Sequence, residues 1–325
     1  MRIESVTSAQ NRKVKTLLTL QEKARLRKEM GLFVVEGRRE LEHCVRAGFE
    51  IDTLFHCPEI SGLTLTTAST DRPFDAIRCG APSRYADPTR VKASSDLSAS
   101  ALRQTTADSY DTDSTRAKNA ETMLPELATI LEKAGQIIEV PKELYEKIAY
   151  RGGTEGVIAE VKAKELSLEG LKLSDRPLVV VLEGVEKPGN LGAVLRSADA
   201  AGADAVLVCD PLTDLYNPNL IRASIGAVFT VPVACCGSEE AIKWLKNNNI
   251  NIYTAQLQDS SWYYDTDMRG GTAIVIGTEA TGLTDAWREA ADAHIRIPML
   301  GELDSLNASV SAAILLFEAV RQRNA

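Results

Sequence analysis

The chain has 325 residues, 44% of them hydrophobic, and a net charge of −8. That length exceeds the usual single-domain size, so two domains are expected, and the hydrophobic share suits a soluble protein with a full core. No apolar run reaches the roughly 20 residues needed to cross a membrane, the polar N-terminus lacks the apolar stretch of a secretory signal, and six cysteines without a CxxC pair point to buried thiols in a reducing cytoplasm.

In chain order, helical spacing covers Asn11 to Met30, followed by a strand at Leu32–Val35, a helix at Arg38–Ala47 and a strand at Ile51–Phe55. The stretch from about Ser61 to Thr122 is dense in Ser, Thr, Ala and Asp and has no sustained period. It reads as an insertion, mobile or loosely structured, because it has too few large apolar residues to offset its ordering entropy. Alternation resumes with a helix at Leu124–Ala134, a strand at Gln136–Val140, a helix at Lys142–Ala149 and a strand at Gly156–Val161. These segments define an N-terminal α/β domain, 1–163, interrupted at about 61–122, and a polar linker at 164–176.

The remainder, 177–325, is more regular. Pro177–Leu182 is a continuous apolar run of the kind buried on both faces of a sheet. Strands are expected at Ala205–Val208, Ile252–Ala255, Thr272–Ile276 and Ile295–Ile297. Helices are expected at Leu191–Ala201, around Asn219–Ala227, at Glu239–Asn247, at Thr284–Ala291 and from about Asn307 to Arg323. Strand–helix alternation of this kind implies a mostly parallel sheet whose ligands sit beyond the carboxyl ends of the strands.

The unusual residues fall there. In Pro188-Gly189-Asn190-Leu191-Gly192, Asn190 stands where a helix starts and Gly192 permits close backbone approach, with Arg196 on the second turn. Taken alone this is equally a capped helix with a surface arginine. Gly277-Thr278-Glu279-Ala280-Thr281-Gly282 follows an apolar strand and offers exposed amides, or a plain tight turn. Ile297-Pro298-Met299 leads to Ser305-Leu306-Asn307-Ala308, a helix start paved with small residues that suits tight packing or a simple cap. No GxGxxG or Walker sequence is present, which argues against a nucleotide-dependent dehydrogenase or NTPase.

In this order and spacing the three motifs resemble the signature motifs of the SpoU/TrmH-like RNA methyltransferases of the SPOUT superfamily, over roughly Val180 to Glu318. Less specifically, Phe33–Gly37 and Gly153–Val157 resemble the L30e-like substrate-binding domain that many members carry. The resemblance implies an α/β chain with a C-terminal knotted parallel-sheet domain, preceded by a smaller L30e-like α/β domain. It also implies methylation of a ribose 2′-hydroxyl in rRNA or tRNA, S-adenosyl-L-methionine as cofactor, and a homodimer paired through the C-terminal domain. By that resemblance Gly277, Ile297 and Leu306 line the cofactor site, and Asn190, Arg196, Glu279, Ser305 and Asn307 are the catalytic or structural polar positions. Ala280 and Ala308 depart from the common Gly and Val without removing a polar group. No metal is called for, and His43, His56 and His294 are scattered.

An RNA partner fits the uneven charge. Arg12, Lys13, Arg25, Arg27, Lys28 and Arg38 cluster near the N-terminus and, with Arg222, are the candidate phosphate contacts, although a solvated helix face explains any charge run. Base methylation on the same fold and non-catalytic RNA binding are the competing readings.

Overall fold

The computed structural model of the chain describes residues 2–65, 77–79, 127–150, 155–278, 281–302 and 305–325. Its first half runs β1 (Arg2–Ser5), α1 (Arg12–Glu22), α2 (Ala24–Met30), β2 (Leu32–Glu36), α3 (Arg38–Arg46), β3 (Ile51–His56), α4 (Pro58–Ser61), β4 (Leu63–Leu65) and β5 (Ile77–Cys79). It continues with a helical segment, α5 (127–132), then β6 (Ala134–Glu139), α6 (Lys142–Ile148) and β7 (Val157–Lys162). Five strands form a sheet in the order β1-β6-β3-β7-β2, with β7 antiparallel to both neighbours.

The expected helix from Asn11 to Met30 is two helices. Asn11 caps α1 by accepting from the Lys13 amide, and Val14, Leu17 and Leu20 bury one face. Lys23 then turns extended, and α2 ends at Gly31, where a φ of 62° favours glycine. The front of the expected insertion is ordered: Ser61 closes α4, Leu63 is buried, and β4 pairs antiparallel with β5. Most of the remainder of that stretch lies outside the described residues.

The second half runs β8 (Leu178–Glu183), α7 (Pro188–Ala201), β9 (Ala205–Cys209), α8 (Pro218–Ala223), α9 (Ala227–Thr230), β10 (Val233–Cys236), α10 (Ser238–Asn247) and β11 (Asn251–Ala255). After these come β12 (Ser261–Trp262), β13 (Thr272–Ile276), α11 (Asp285–Ala290), β14 (Ala293–Arg296) and α12 (Ala308–Arg323). Seven strands in the order β10-β9-β8-β13-β11-β14-β12 form a sheet whose pairings are all parallel. Every residue of β8 is buried, as its unbroken apolar run requires. Where one helix was expected at Asn219–Ala227, Ile225 (φ 52°) and Gly226 (φ 83°) break the chain between α8 and α9.

Strand β14 lies between β11 and β12, so the short connection 256–260 straddles it. The Gln256 amide donates to Ile295 O, and Arg296 Nη1 reaches Leu257 O at 3.4 Å. After β14 the chain returns as α12, which packs on α7 and β13, and Leu306 and Leu315 share a cavity wall with Leu257 of this arch. Parallel strands normally need a longer crossover, and threading a chain end is rare in proteins. Here Ser305, Ala308 and Ser311 keep the threaded segment thin.

The two sheets share one continuous core. Phe33 stacks on Tyr216, with centroids 4.2 Å apart and planes at 14°, and Phe49 meets Phe229 edge-on at 5.2 Å. Lys164 at the start of the linker sits 4.3 Å over the Phe49 ring, and its ammonium donates to Ala47 O. Arg27, 4% exposed, donates to Leu20 O and to Asp214 Oδ2 across the seam, both at 2.5 Å. A hydrophobic seam of this kind fixes the halves against each other.

Candidate active site

The carboxyl ends of β11, β13 and β14 and the start of α12 enclose a cavity of about 470 Å³, lined by Gly277, Thr278, Gly282, Leu283, Ser305 and Leu306 among others. A smaller one of about 140 Å³ adjoins it, sharing Gln256, Leu257, Ser305 and Leu306 and adding Ile297. Gly277, Ile297 and Leu306 therefore come together, as does Ser305. No side chain fits at Gly277, because a Cβ there would stand 2.4 Å from Gly282 C. Thr278 N and Gly282 N bond to each other's carbonyls, so the loop closes tightly after β13. Two polar atoms of the cavity wall, Gln256 Oε1 and Arg296 Nε, are buried with no hydrogen-bond partner among the described residues. An unmet acceptor and an unmet donor beside apolar walls suit a ligand with polar edges.

Asn307 caps α12, its Oδ1 accepting from Ser309 N at 2.9 Å, and its Nδ2 donates to Asn190 Oδ1 at 3.1 Å. That bond joins the first turn of α7 to the start of α12. Asn190 is the third residue of α7, inside the helix and not at its cap, which is Lys187. Gly192 performs the role expected of it: a Cβ there would stand 2.7 Å from Ala223 Cβ and 2.8 Å from Ser224 N, so α7 and α8 touch through it. Arg196 is exposed on α7. Glu279 lies outside the described residues, as does Ala280.

Sequence reasoning missed Glu183, a 5% exposed carboxylate at the end of β8. It accepts from Thr284 N at 2.9 Å and from Thr284 Oγ1 at 2.6 Å, anchoring the far end of the glycine loop. An acidic residue closing an otherwise apolar strand was the available signal. Arg296, 4.3 Å over the Trp262 ring, was missed too and left none, because its partner comes from a separate strand.

The basic candidates separate into two groups. Arg12, Arg25 and Lys28 are exposed, and Lys13 is half-buried in a 2.8 Å pair with Glu4. Arg222 is half-buried at the seam. Two of the candidates make bonds within the fold. Arg27 is 4% exposed, with its Nε on Asp214 and its Nη1 on carbonyls closing α1, so burial keeps it from a phosphate. Arg38 bonds Ser61 O and Glu155 O, holding the turn before β7.

A parallel sheet with a threaded C-terminal helix and a glycine-lined cavity at its carboxyl edge defines a SPOUT-type methyltransferase domain, preceded here by a substrate-binding domain. The family described as SpoU rRNA Methylase matches residues 177–317, and the MRM3-like substrate binding domain matches residues 11–78. The 23S rRNA (guanosine-2′-O-)-methyltransferase RlmB of Escherichia coli K12 is 37% identical over 209 residues, covering 62% of this chain and 86% of that protein. The RlmB of Xanthomonas axonopodis pv. citri is 39% identical over 176 residues, covering 52% and 71%. A crystal structure of an RNA 2′-O ribose methyltransferase superposes with a TM-score of 0.69 at 32% identity, over 99% of this chain and 100% of that one. An AdoMet-bound rRNA methyltransferase from Sinorhizobium meliloti shares the fold, with a TM-score of 0.72 at 23% identity over 98% of each chain. The chain belongs to the SpoU rRNA methylase family.

Proposed function

We propose that this chain transfers a methyl group from S-adenosyl-L-methionine to a ribose 2′-hydroxyl in structured RNA, with guanosine in 23S rRNA, the substrate named for RlmB, as the first to test. The observation that carries this reading is the Asn307–Asn190 hydrogen bond beside the glycine-lined cavity, which gathers polar residues of two motifs where a ribose can meet a bound cofactor.

The residues present fit S-adenosylmethionine. Gly277 admits a flat group where any side chain would clash, and Gln256 Oε1 and Arg296 Nε offer an acceptor and a donor not otherwise used. The cofactor supplies an electrophilic methyl on a sulfonium. A ribose hydroxyl is a weak nucleophile, so the protein must align it and let its proton leave. Arginine stays protonated at ordinary pH, so Arg196 holds a substrate phosphate or polarises the hydroxyl, while a phosphate oxygen takes the proton. Asn190 and Asn307, held by each other, orient the ribose; Ser305 and Glu279 complete the pocket's polar set.

A twofold dimer through α12 belongs to the same reading. Val310 and Phe317, seven residues apart on α12, are 46% and 48% exposed, a face that a second copy would cover. Arg12, Lys13, Arg25, Lys28 and Arg222 remain the proposed RNA contacts. No helix among the described residues is long and apolar enough to cross a membrane. Cys44, Cys57 and Cys209 are buried free thiols, in keeping with the cytoplasm as the site of action.

The test is a map of ribose methylation across rRNA and tRNA in cells with and without the gene, together with the atom methylated by purified protein. Loss of one 2′-O-methyl group, restored by the wild type and not by Arg196→Ala, is the expected result. A methyl on a base, or no change at any site, refutes it.

A further inference from the structure

At the seam lies a cavity distinct from the cofactor cavity, about 300 Å³ in volume, bounded by Glu36, Arg39, Glu40 and Tyr150 from the first half and by Arg222 and Ile225 from the second. We propose that this cavity takes a single unpaired nucleotide of the RNA substrate, its base stacked on Tyr150 and its phosphate held by Arg39 and Arg222. The inference rests on the RNA methyltransferase reading and adds a binding site to it.

Tyr150 is built as a platform. Its amide donates to Glu36 Oε2 at 3.0 Å, and its hydroxyl accepts from Asn219 Nδ2 at 3.2 Å, so the ring spans the seam with both ends tied. It nevertheless stays 46% exposed. A fixed, accessible ring is what an unstacked base needs, because every base has a π face to offer. Asn219 and Arg222 stand three residues apart on α8, so the residue that ties the ring and the one that offers charge share a helix face.

The charges specify the rest. Among the described residues, neither the exposed Arg39 nor the half-buried Arg222 has a carboxylate within ion-pair distance. A guanidinium kept in a cavity wall without a partner is poised for an anion. A bare anion would also face the carboxylates of Glu36, Glu40 and Glu155, of which Glu36 accepts from the Tyr150 amide and Glu155 from the Arg38 amide, whereas a nucleotide presents a phosphate to the arginines and an amino-bearing base edge to Glu40. Volume limits the occupant to one nucleotide and excludes a duplex groove. The backbone carries strain here: Ile225, β-branched, is held at φ 52° as it enters the wall.

The cavity is also mechanically joined to the catalytic helix. Arg222 immediately precedes the Ala223–Ser224 pair that meets Gly192, two residues beyond Asn190. Capture of one nucleotide at the seam would thus fix its neighbours relative to α7 without any hinge.

The experiment uses the full-length protein saturated with S-adenosylhomocysteine, so that adenosine cannot bind in the cofactor cavity. The 5′-monophosphates of adenosine, guanosine, cytidine and uridine, with inorganic phosphate alongside, are titrated by NMR. At least one monophosphate should bind about tenfold tighter than phosphate, the gain expected from stacking. Tyr150→Leu and Arg222→Gln should each weaken it about tenfold, while Tyr150→Phe keeps the ring and retains binding. In methyl transfer the same two variants should raise KM for RNA and leave S-adenosylmethionine affinity within twofold, which also certifies that they fold. Parity between monophosphates and phosphate, or variants that bind and react like the wild type, overturns the proposal. If the wild type itself methylates no ribose, the functional reading fails instead, and the two failures are told apart by that control.

Discussion

Replacing Arg27 tests whether a cation in a strongly basic stretch serves the fold or the RNA. In Arg27→Gln the guanidinium is lost from a site 4–5% exposed, leaving Asp214, 25% exposed, without its 2.5 Å partner. The carbonyls of Leu20 and Gln21 lose their donor as well. Removing one member of a buried ion pair costs about 3–5 kcal/mol. The partial exposure of Asp214 lets water recover some of that, so about 3 kcal/mol is expected. Arg25→Gln removes a pair of similar length, 2.6 Å to Glu29, but at 90% and 54% exposure, so it should change stability by no more than about 0.5 kcal/mol. Urea unfolding of both variants, with a double-mutant cycle through Asp214→Asn, reads the difference, and the Arg27–Asp214 coupling should be about 2 kcal/mol. RNA binding should divide the same residues in the opposite way. Arg25→Gln and Lys28→Gln should each reduce the salt slope by about one, while Arg27→Gln below its melting point should leave the slope unchanged. An Arg27 variant as stable as wild type but with a reduced slope would refute the assignment.

Other expectations follow from single sites. Arg196→Ala should lower kcat by about 10²-fold or more, with S-adenosylmethionine affinity unchanged by calorimetry. Gly277→Ala forces a Cβ to within 2.4–2.7 Å of the Gly282–Leu283 backbone and should weaken cofactor binding about tenfold. Glu160, buried beside Asp52, has its carboxyl pushed up to about 7, so the folded state holds its proton more tightly than the unfolded chain. Stability should therefore fall as pH rises from about 4.5 to about 7, and Glu160→Gln should raise the unfolding free energy read from urea titration at pH 8 by about 2 kcal/mol but not at pH 4.5. His56, whose pKa burial and Arg38 depress to about 4, acts in the opposite sense. Its share of stability is lost as pH falls from about 6.5 towards 4, and His56→Gln should flatten acid unfolding in that window.

Much of the second half was legible because its strands are buried on both faces and so read as uninterrupted apolar runs, Leu178–Glu183 above all. Close backbone approach was legible too: Gly192 and Gly277 were read as glycines beside motif turns, and both turn out to have no room for a Cβ. Strand β10 was not, since Val233–Cys236 is short and its two cysteines carry no alternation. The break at Lys23 leaves no proline or glycine to announce it. The burial of Arg27 was not legible because it depends on Asp214, 187 residues away, and no local pattern distinguishes Arg27 from Arg25. The seam cavity was illegible altogether, as its walls come from β2, α3, Tyr150 beyond the end of α6, and α8, segments that meet only once both sheets are formed.

The arrangement at the seam bears on how such an enzyme chooses one ribose among many. A flexible linker would let the substrate-binding half capture RNA at a variable distance from α7, leaving selection to the active site alone. Here the linker is pinned: the Lys164 amide donates to the Tyr216 hydroxyl, which in turn donates to Lys164 O, and Leu166 O accepts from Cys235 N. Tyr216 is also the residue that stacks on Phe33, and Asp214, which accepts from its amide at 2.9 Å, is the partner of Arg27. One turn, 214–216, thus receives the linker, the aromatic stack and the ion pair, and runs directly into α8, which touches α7 at Gly192. Distances between the proposed RNA contacts on the first half and Asn190 on α7 are consequently set by packed side chains. Selection by such a rigid frame depends on RNA shape over the whole span, so an RNA with the correct nucleotide in the wrong fold should bind through its phosphates yet fail to place its ribose.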